Sequence, residues 1–525
     1  MELWPFVLLS LAFSALLAAL LHGENRRRKR LPPGPPSFPV IGNLLWLRRS
    51  LRDLEAVLRD VHTRYGPIVA LRIGSRTAVF ISDRVIAHKA LVGLGASFAD
   101  RPSPPLPATR VSNADHHIIS SAPYGPLWRV LRRNITAEIL HPARVKLYAG
   151  GRTWVLRLLI DHLRAASAAS GGGPVVASES FQFAVFCLLV FMCFGEKLEE
   201  KAIREIERAQ RTLLLYGAKL SVLNFAPAIS RRVFRNRVKT AMSMREIQRQ
   251  LYLPLIESRR RYEHRRQIGT DEEAEEEERF VYSYLDSLLN VDLPDKEGGR
   301  RKLCDDEIVA LCSEFLNGGT DTTATALEWI MANLVKHREV QEKLREEIDR
   351  VVPEGEELKE EDLQRMEYLK AVIMEGLRRH PPGHFVLPHA VTEDVDLCGY
   401  LIPKGASINF LVAEMNWDRR LWADPMAFRP ERFLGGGEGV AVDITGSKEI
   451  KMMSFGAGRR ICPGMGLAML HLEYFVANLV RAFEWEAAEG EEVDLSEKVE
   501  FTVVMKNRLR ARIIPKKNTV SKFKL

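Results

Sequence analysis

The chain of 525 residues has only six cysteines, at 187, 193, 304, 312, 398 and 462, and no two of them form a C-x-x-C pair. That is too few for a disulfide scaffold and the wrong spacing for a zinc ribbon, which leaves a reduced, cytosol-facing body as the expectation. Several nucleotide and hydrolase signatures are missing as well. There is no G-x-G-x-x-G turn, no G-x-x-x-x-G-K-[ST] loop, no G-x-S-x-G elbow and no H-E-x-x-H helix. Direct binding of ATP or a nicotinamide dinucleotide is therefore not expected. No internal repeat is visible, and 46% hydrophobic with 27% charged residues excludes collagen, a coiled coil and wholesale disorder. The excess of positive charge is small and local: of the net +8, five charges lie in the single run Arg26 to Arg30. A nucleic-acid-binding surface would spread basic residues among aromatic ones, so no nucleic-acid partner is expected.

That basic run follows Leu3 to Leu21, which carries no charge and is mostly Leu, Ala, Val and Phe. The length suits one bilayer-spanning helix. Positive residues after the run, with only Met1 and Glu2 before it, fit a retained anchor whose far side stays in the cytosol rather than a cleaved signal peptide. Residues 3–21 are therefore expected to be a transmembrane signal anchor. Residues 22–36, basic and then proline-rich through Leu31-Pro32-Pro33-Gly34-Pro35-Pro36, read as a stiff linker, since proline fixes φ and cannot continue a helix. Residues 37–525 form the body. With this topology the formal sequon Asn134-Ile135-Thr136 is expected to stay unmodified.

Within the body, Ile68 to Ile73 and Thr77 to Ile81 are β-rich runs on either side of a Gly74-Ser75-Arg76 turn, and Val395 to Phe410 holds a second β element. Helical periodicity marks 152–166, 178–194, 303–336, 339–351, 363–379 and 465–483. The fold class is mainly α with small β-sheets. Arg259 to Arg266 followed by Asp271 to Glu278 reads as a solvated helix end and an exposed linker.

The most informative stretch is Phe455-Gly456-Ala457-Gly458-Arg459-Arg460-Ile461-Cys462-Pro463-Gly464, which fits F-x-x-G-x-R-x-C-x-G. Pro463 suits a first helical position, which would put Cys462 at the start of the helix over 465–483, where the helix dipole and nearby arginines favour thiolate. The glycines let backbone approach a flat ligand. On this motif the chain resembles the cytochrome P-450 superfamily, the haem-thiolate monooxygenases, in its membrane-anchored plant form. The resemblance runs from the anchor to the C-terminus and implies the P-450 fold after one N-terminal transmembrane helix. By it, Cys462 is the iron ligand of a haem b, Arg460 meets a propionate, Phe455 packs beside the sulfur and Gly464 belongs to the cofactor-binding loop.

Other segments keep the family's order. Gly318-Gly319-Thr320-Asp321-Thr322-Thr323 sits inside a long helical pattern, against propensity. The resemblance makes it the distal helix, with Asp321 and Thr322 as the acid and alcohol that manage protons. Glu375-Gly376-Leu377-Arg378 with Arg432 resembles the buried network that supports the cysteine loop. Trp128 and Arg132, at i and i+4, and His389 match propionate contacts. The resemblance also draws the substrate pocket from Pro104 to Tyr124, from Phe315 and Asn317, from His384 to Leu387 (Phe385 and Val386 among them), and from Phe501 to Met505, including Val503.

These implications add up to an NADPH- and O2-dependent monooxygenase that inserts one oxygen atom into a hydrophobic small molecule. Electrons would come from NADPH–cytochrome P-450 reductase, docked on Lys448, Lys451, Arg459, Arg129 and Arg133, because no flavin or nicotinamide motif is present. The catalytic body would face the cytosol from the endoplasmic reticulum membrane, in contact with lipid. A haem-thiolate isomerase or dehydratase, needing neither O2 nor reductase, is the alternative enzyme, and a tethered haem or ligand carrier is the alternative without catalysis.

Overall fold

The computed structural model describes residues 31–37, 43, 54–73, 76–102, 116–220, 223, 232–268, 281–294 and 299–516. The expected anchor over 3–21, the basic run and the acidic run 271–278 lie outside the described residues. Among the described residues, no helix is long and apolar enough to cross a membrane.

The main helices are α1 Leu54–Tyr65, α2 Pro126–Glu138, α3 Ala149–Ala169, α4 Ser178–Phe194, α5 Glu200–Leu220, α6 Arg235–Ile268, α7 Tyr284–Asn290, α8 Asp305–Lys336, α9 Arg338–Val351, α10 Glu367–Arg379 and α11 Met465–Ala482. The strands used below are β1 Ile68–Ile73, β2 Arg76–Ile81, β3 Val175–Val176, β4 His389–Ala390, β5 Ser407–Phe410, β6 Phe483–Ala487, β7 Glu497–Val499, β8 Val503–Met505 and β9 Arg510–Pro515. The chain groups into two compact units, 1–103 with 387–411, and 104–386 with 412–525.

The first unit is built on a four-stranded sheet in the order β1-β2-β5-β4. β1 and β2 form the expected antiparallel hairpin, with Val69 opposite Phe80, and β5 runs parallel to β2 with Ile408 opposite Val79. The described part of the proline-rich linker is not a free spacer. Pro33 accepts the Ala70 amide at 2.9 Å, Pro32 and Pro35 are buried, and a Cβ on Gly34 would stand 2.1 Å from the Ala70 carbonyl oxygen. Only glycine allows so close an approach. Asn43 continues along the same strand, accepting from the Arg72 amide through Oδ1 at 2.7 Å.

The second unit is helical around α8. Its partner α4 is apolar on every face, and almost all of its residues are buried, as a core helix requires. The two helices meet closely at Gly319, where a Cβ would lie 2.7 Å from Leu189 Cδ1. Replacing Gly319 by leucine is therefore expected to overpack this contact and cost about 1–3 kcal/mol, read from the urea midpoint. Local signals set the helix ends. Pro126 opens α2, Gly195 at φ 80° closes α4, and Ser283 with Asp286 forms a capping box on α7. α8 begins with Asp305, Asp306 and Glu307 in its first turn, acids that suit the positive helix end. Behind α8, β6 pairs with β9, which also pairs with β3, and β7 with β8 makes a separate hairpin.

Two readings need correction, and a third loses its force as a test. Arg259 is not part of a solvated helix end: it is buried and forms a two-pronged ion pair with Asp286. The helix expected from residue 363 starts at Glu367, after a short 3-10 turn at Asp362–Arg365. Asn134 lies in α2 with its amide donating to Ser287 Oγ at 2.9 Å, so the absence of a glycan there would report helix packing rather than topology.

Candidate active site

The cysteine loop is shaped by two glycines in the left-handed region, Gly456 at φ 72° and Gly458 at φ 69°. They turn the chain so that the Cys462 amide donates back to the Phe455 carbonyl at 2.9 Å. α11 begins at Met465 with Gly464 as its N-cap, so Pro463 precedes the helix instead of opening it. Arg132, from α2, reaches the loop and donates to the Ile461 carbonyl at 2.7 Å. The expected thiolate bias is reversed in the chain alone. Burial pushes the Cys462 thiol up, and the opposing Gly464 amide and Arg132 charge do not overcome it. A coordinating metal ion removes such a proton outright.

Arg460 donates to the carbonyls of Ile119 at 3.1 Å and Ala122 at 2.7 Å. Its guanidinium lies 4.5 Å from the centre of the Trp128 ring. Trp128 is buried, and its indole N–H has no partner among the described residues. A buried donor left unpaired costs about 1–3 kcal/mol, which a bound acceptor would recover. His389 belongs to the first unit, where Nδ1 sits 2.7 Å from the Phe98 carbonyl oxygen.

Along α8, the run 317–322 interrupts a buried helix with an open stripe: Gly318 is exposed, and Asn317, Asp321 and Thr322 are half-buried. Nothing would meet a Cβ on Gly318, in contrast to Gly319 beside it. The Thr322 hydroxyl donates to the Gly318 carbonyl at 2.7 Å, which leaves its oxygen as an acceptor turned along the stripe. Asp321 Oδ1 receives Gln182 Nε2 and Arg211 Nη1, each at 3.4 Å. Burial raises the Asp321 carboxyl above its ordinary range, with Arg211 opposing.

The residues expected to line the substrate pocket are placed differently from one another. Phe315 belongs to the apolar core, its ring 5.0 Å from that of Tyr284. Phe385 and Val386 are half-buried, and Val386 Cγ1 lies 3.7 Å from where a Cβ on Gly456 would stand. Val503 is buried and held on both sides of its peptide, its amide by Pro382 O at 2.8 Å and its carbonyl by Trp329 Nε1 at 2.8 Å. Trp329 stacks on His380, with ring centres 4.0 Å apart.

Burial takes the His380 imidazole down to about 4, against the pull of Glu497. Burial and the Arg152 charge take His471 to about 3. The unfolded chain gains both protons below about pH 6.5, while the native chain does not until its own values are reached. Stability should therefore fall as pH drops from about 6.5 to 4, by on the order of 3 kcal/mol for His380 alone. Urea midpoints at pH 7 and pH 5 test this, and His380→Gln should shrink the difference.

Glu375, Arg378 and Arg432 come together, all buried. Arg378 grips Glu375 through Nε at 2.6 Å and Nη2 at 2.9 Å, Arg432 Nε reaches it at 3.2 Å, and the Arg429 amide adds a bond at 2.9 Å. The connection from this cluster to the cysteine loop is a residue that sequence reading did not single out. Asn416 supplies its carbonyl to Arg378 at 3.2 Å, accepts the Met453 amide at 2.8 Å and donates to Ser454 Oγ at 2.9 Å. An asparagine that ends the short helix Val412–Asn416 carries no local signature of such a bridge.

The second unit thus brings a half-buried cysteine, two guanidinium side chains and a buried indole N–H without a partner among the described residues to one loop, beside α2. That donor set fits a metalloporphyrin with two carboxylates: sulfur for the metal, cations and an N–H for the acids. Trp128→Phe separates this reading from a packing role. The haem-free protein should gain about 1 kcal/mol, by loss of a stranded donor, while haem escapes faster, followed by its transfer to apomyoglobin.

The family model for cytochrome P450 matches residues 32–513. Cytochrome P450 89A9 of Arabidopsis thaliana is 48% identical over 520 residues, covering 97% of this chain and 98% of the relative. Flavonoid 3'-monooxygenase of the same plant is 32% identical over 491 residues, covering 92% of this chain and 91% of the relative. A solved zebrafish cytochrome P450, in a structure with progesterone, superposes with a TM-score of 0.70 at 22% identity, over 88% of this chain and 99% of that one. The mainly helical fold, the cysteine loop and these likenesses agree: the chain belongs to the cytochrome P450 family, and it is a haem-thiolate monooxygenase that takes its electrons from a redox partner.

Proposed function

We propose that the enzyme is a microsomal monooxygenase that takes electrons from NADPH–cytochrome P-450 reductase and places one oxygen atom in a hydrophobic small molecule. The observation that carries the assignment of residues is the cysteine loop, with a half-buried Cys462 and, under the loop's Arg460, a Trp128 N–H that has no partner among the described residues. Within the second unit, Cys462 would hold the iron, Trp128, Arg132 and Arg460 would hold the propionates, and Phe455 and Gly464 would shape the face around the sulfur. Haem bound through a thiolate supplies the iron at which dioxygen is cleaved. Asp321 and Thr322 move protons. Thr322, fixed by its bond to Gly318, offers an oxygen to water on the open stripe, and Asp321 exchanges protons with solvent. Asn317, Phe385, Val386 and Val503, with Phe315 behind them, orient an apolar substrate and exclude bulk water.

The reductase face takes in Arg129, Arg133, Lys448 and Arg459, all exposed, and Lys451, which pairs with Glu449 at 3.3 Å. Reversing Arg133 and Lys448 to glutamate is expected to raise the reductase concentration needed for half-maximal turnover, with a weakened salt dependence. The apolar run 3–21 followed by Arg26 to Arg30 supports a single-pass anchor in the endoplasmic reticulum membrane with the body in the cytosol. Protease added to intact microsomes should then digest the body. The overall reading is tested by reconstituting the enzyme with reductase and labelled dioxygen. One labelled atom should appear in product, only with NADPH present, and turnover without NADPH or O2 would reject the proposal.

A further inference from the structure

The start of α8 carries more chemistry than a helix cap needs. Cys304 is the N-cap, and with Glu307 it closes a capping box: the Glu307 amide points at the cysteine sulfur, and the Cys304 amide donates to Glu307 Oε2 at 3.0 Å. Caps favour Ser, Thr, Asp or Asn, so capping alone does not account for sulfur at this position. A third group comes from another part of the chain. His116, in the loop before α2, brings a ring nitrogen to the same place; that nitrogen, the Cys304 sulfur and a Glu307 carboxylate oxygen all lie within 4.8 Å of one another. Cys304 is exposed and the other two are half-buried, so an ion can reach the three from solvent.

Each group has a fixed support. Arg301 holds Glu307 with two bonds of 2.7 Å, one to each carboxylate oxygen, and itself sits in a short antiparallel ladder opposite Leu293. Lys302 ties the same segment to the Asn290 carbonyl at 2.7 Å. The loop is fastened to α8 as well: Glu314, two turns beyond Glu307, accepts the Ile119 amide at 2.8 Å and the Ser120 amide at 2.6 Å. Seven residues of helix advance about 10 Å. The three steps from His116 to Ile119 can cover about 10 Å of extended chain. The loop therefore follows α8 from one carboxylate to the other, and its anchorage at Glu314 sets His116 beside Cys304.

We propose that His116, Cys304 and Glu307 form a binding site for a divalent cation of the zinc type, which pins the loop before α2 to the start of α8. Sulfur, imidazole and carboxylate together suit zinc; magnesium and calcium prefer oxygen alone. Three protein ligands leave the fourth tetrahedral position to water, unlike the closed four-ligand sites on which whole folds depend. Without a cation, partial burial and the Glu307 carboxylate push the Cys304 thiol up, against the pull of the Glu307 amide. A bound cation reverses that balance. Cys304 gives its proton to water, and thiolate and carboxylate together match the two charges of the ion. Arg301 keeps its hold on Glu307, because a carboxylate accepts at about four lone-pair positions. No haem contact or proton-carrying residue takes part, so the site stands or falls apart from the proposed function.

The test uses the full-length, haem-loaded protein with zinc sulfate as the probe. Zinc retained per haem after dialysis is measured for the parent, for Cys304→Ser and His116→Ala, and for Cys398→Ser, which removes the other exposed cysteine. The parent and Cys398→Ser should each hold one ion more than Cys304→Ser or His116→Ala. X-ray absorption at the zinc edge should show one sulfur at about 2.3 Å and nitrogen or oxygen at about 2.0–2.2 Å. Serine is itself a good N-cap, so Cys304→Ser should melt no lower than the parent without zinc, and only the parent should gain Tm when zinc is added. Zinc should also slow hydrogen exchange at the Ile119 and Ser120 amides of the parent and leave Cys304→Ser unchanged. Equal zinc retention in the parent and Cys304→Ser, or a zinc spectrum without sulfur, would overturn the site. Zinc bound through sulfur with the exchange of both loop amides unmoved would overturn the pin.

Discussion

Cys462→Ser is expected to abolish the red-shifted carbon monoxide complex and all NADPH-dependent turnover while leaving the fold in place. The substitution exchanges sulfur for oxygen at nearly the same size, and the loop is held by backbone groups, Cys462 N to Phe455 O among them, that serine retains. Stability in urea should change by less than about 1 kcal/mol, as for a conservative replacement outside the packed core. What is lost is the electron donation of a thiolate ligand, the property that favours O–O cleavage. A merely structural cysteine would show the opposite pattern, with stability affected and the spectrum unchanged.

Glu375→Gln should be as damaging by another route. Two guanidinium groups and the Arg429 amide converge on that carboxylate, in a cluster with no exposure at Glu375 or Arg378. Removing the negative charge strands the buried Arg378, while Arg432 keeps its ion pair with Glu438, and a buried cation left without its carboxylate costs about 3–5 kcal/mol. Against a total stability of about 5–15 kcal/mol, little protein should survive to accumulate haem. The strain should pass to the cysteine loop through Asn416, whose contacts to Arg378, Met453 and Ser454 join cluster and loop. Expression of Glu375→Gln followed by haem content per purified chain checks this. Asn416→Ala, which leaves every charge paired, should retain more folded protein than Glu375→Gln but bind haem less firmly than the parent.

The sequence revealed most where chemistry is local. Cys462 lies within a few residues of its flanking glycines, and Glu375 lies one helical turn before Arg378; the boundaries expected for α4, and for α8 to within two residues, follow from apolar periodicity. It revealed least where the decisive partner is distant. Arg259 looked solvated because its neighbours are basic, yet Asp286 meets it from α7. Arg211 has no motif at all, yet from α5 it reaches Asp321 on α8 at 3.4 Å. The thiol was read from helix dipole and charge, whereas burial, which a linear sequence does not display, has the larger effect on it.

The proline-rich stretch laid along β1 bears on how the protein can be handled. β1 is the outer strand of its sheet, and Pro33 occupies the Ala70 amide there. Removing residues 1–37 would bare that strand, and a bared strand recruits its like from other molecules. Such a preparation should form aggregates visible by light scattering, whereas one cut at residue 30 should stay monodisperse. Prolines suit the position because they lack an amide hydrogen with which to recruit a further strand.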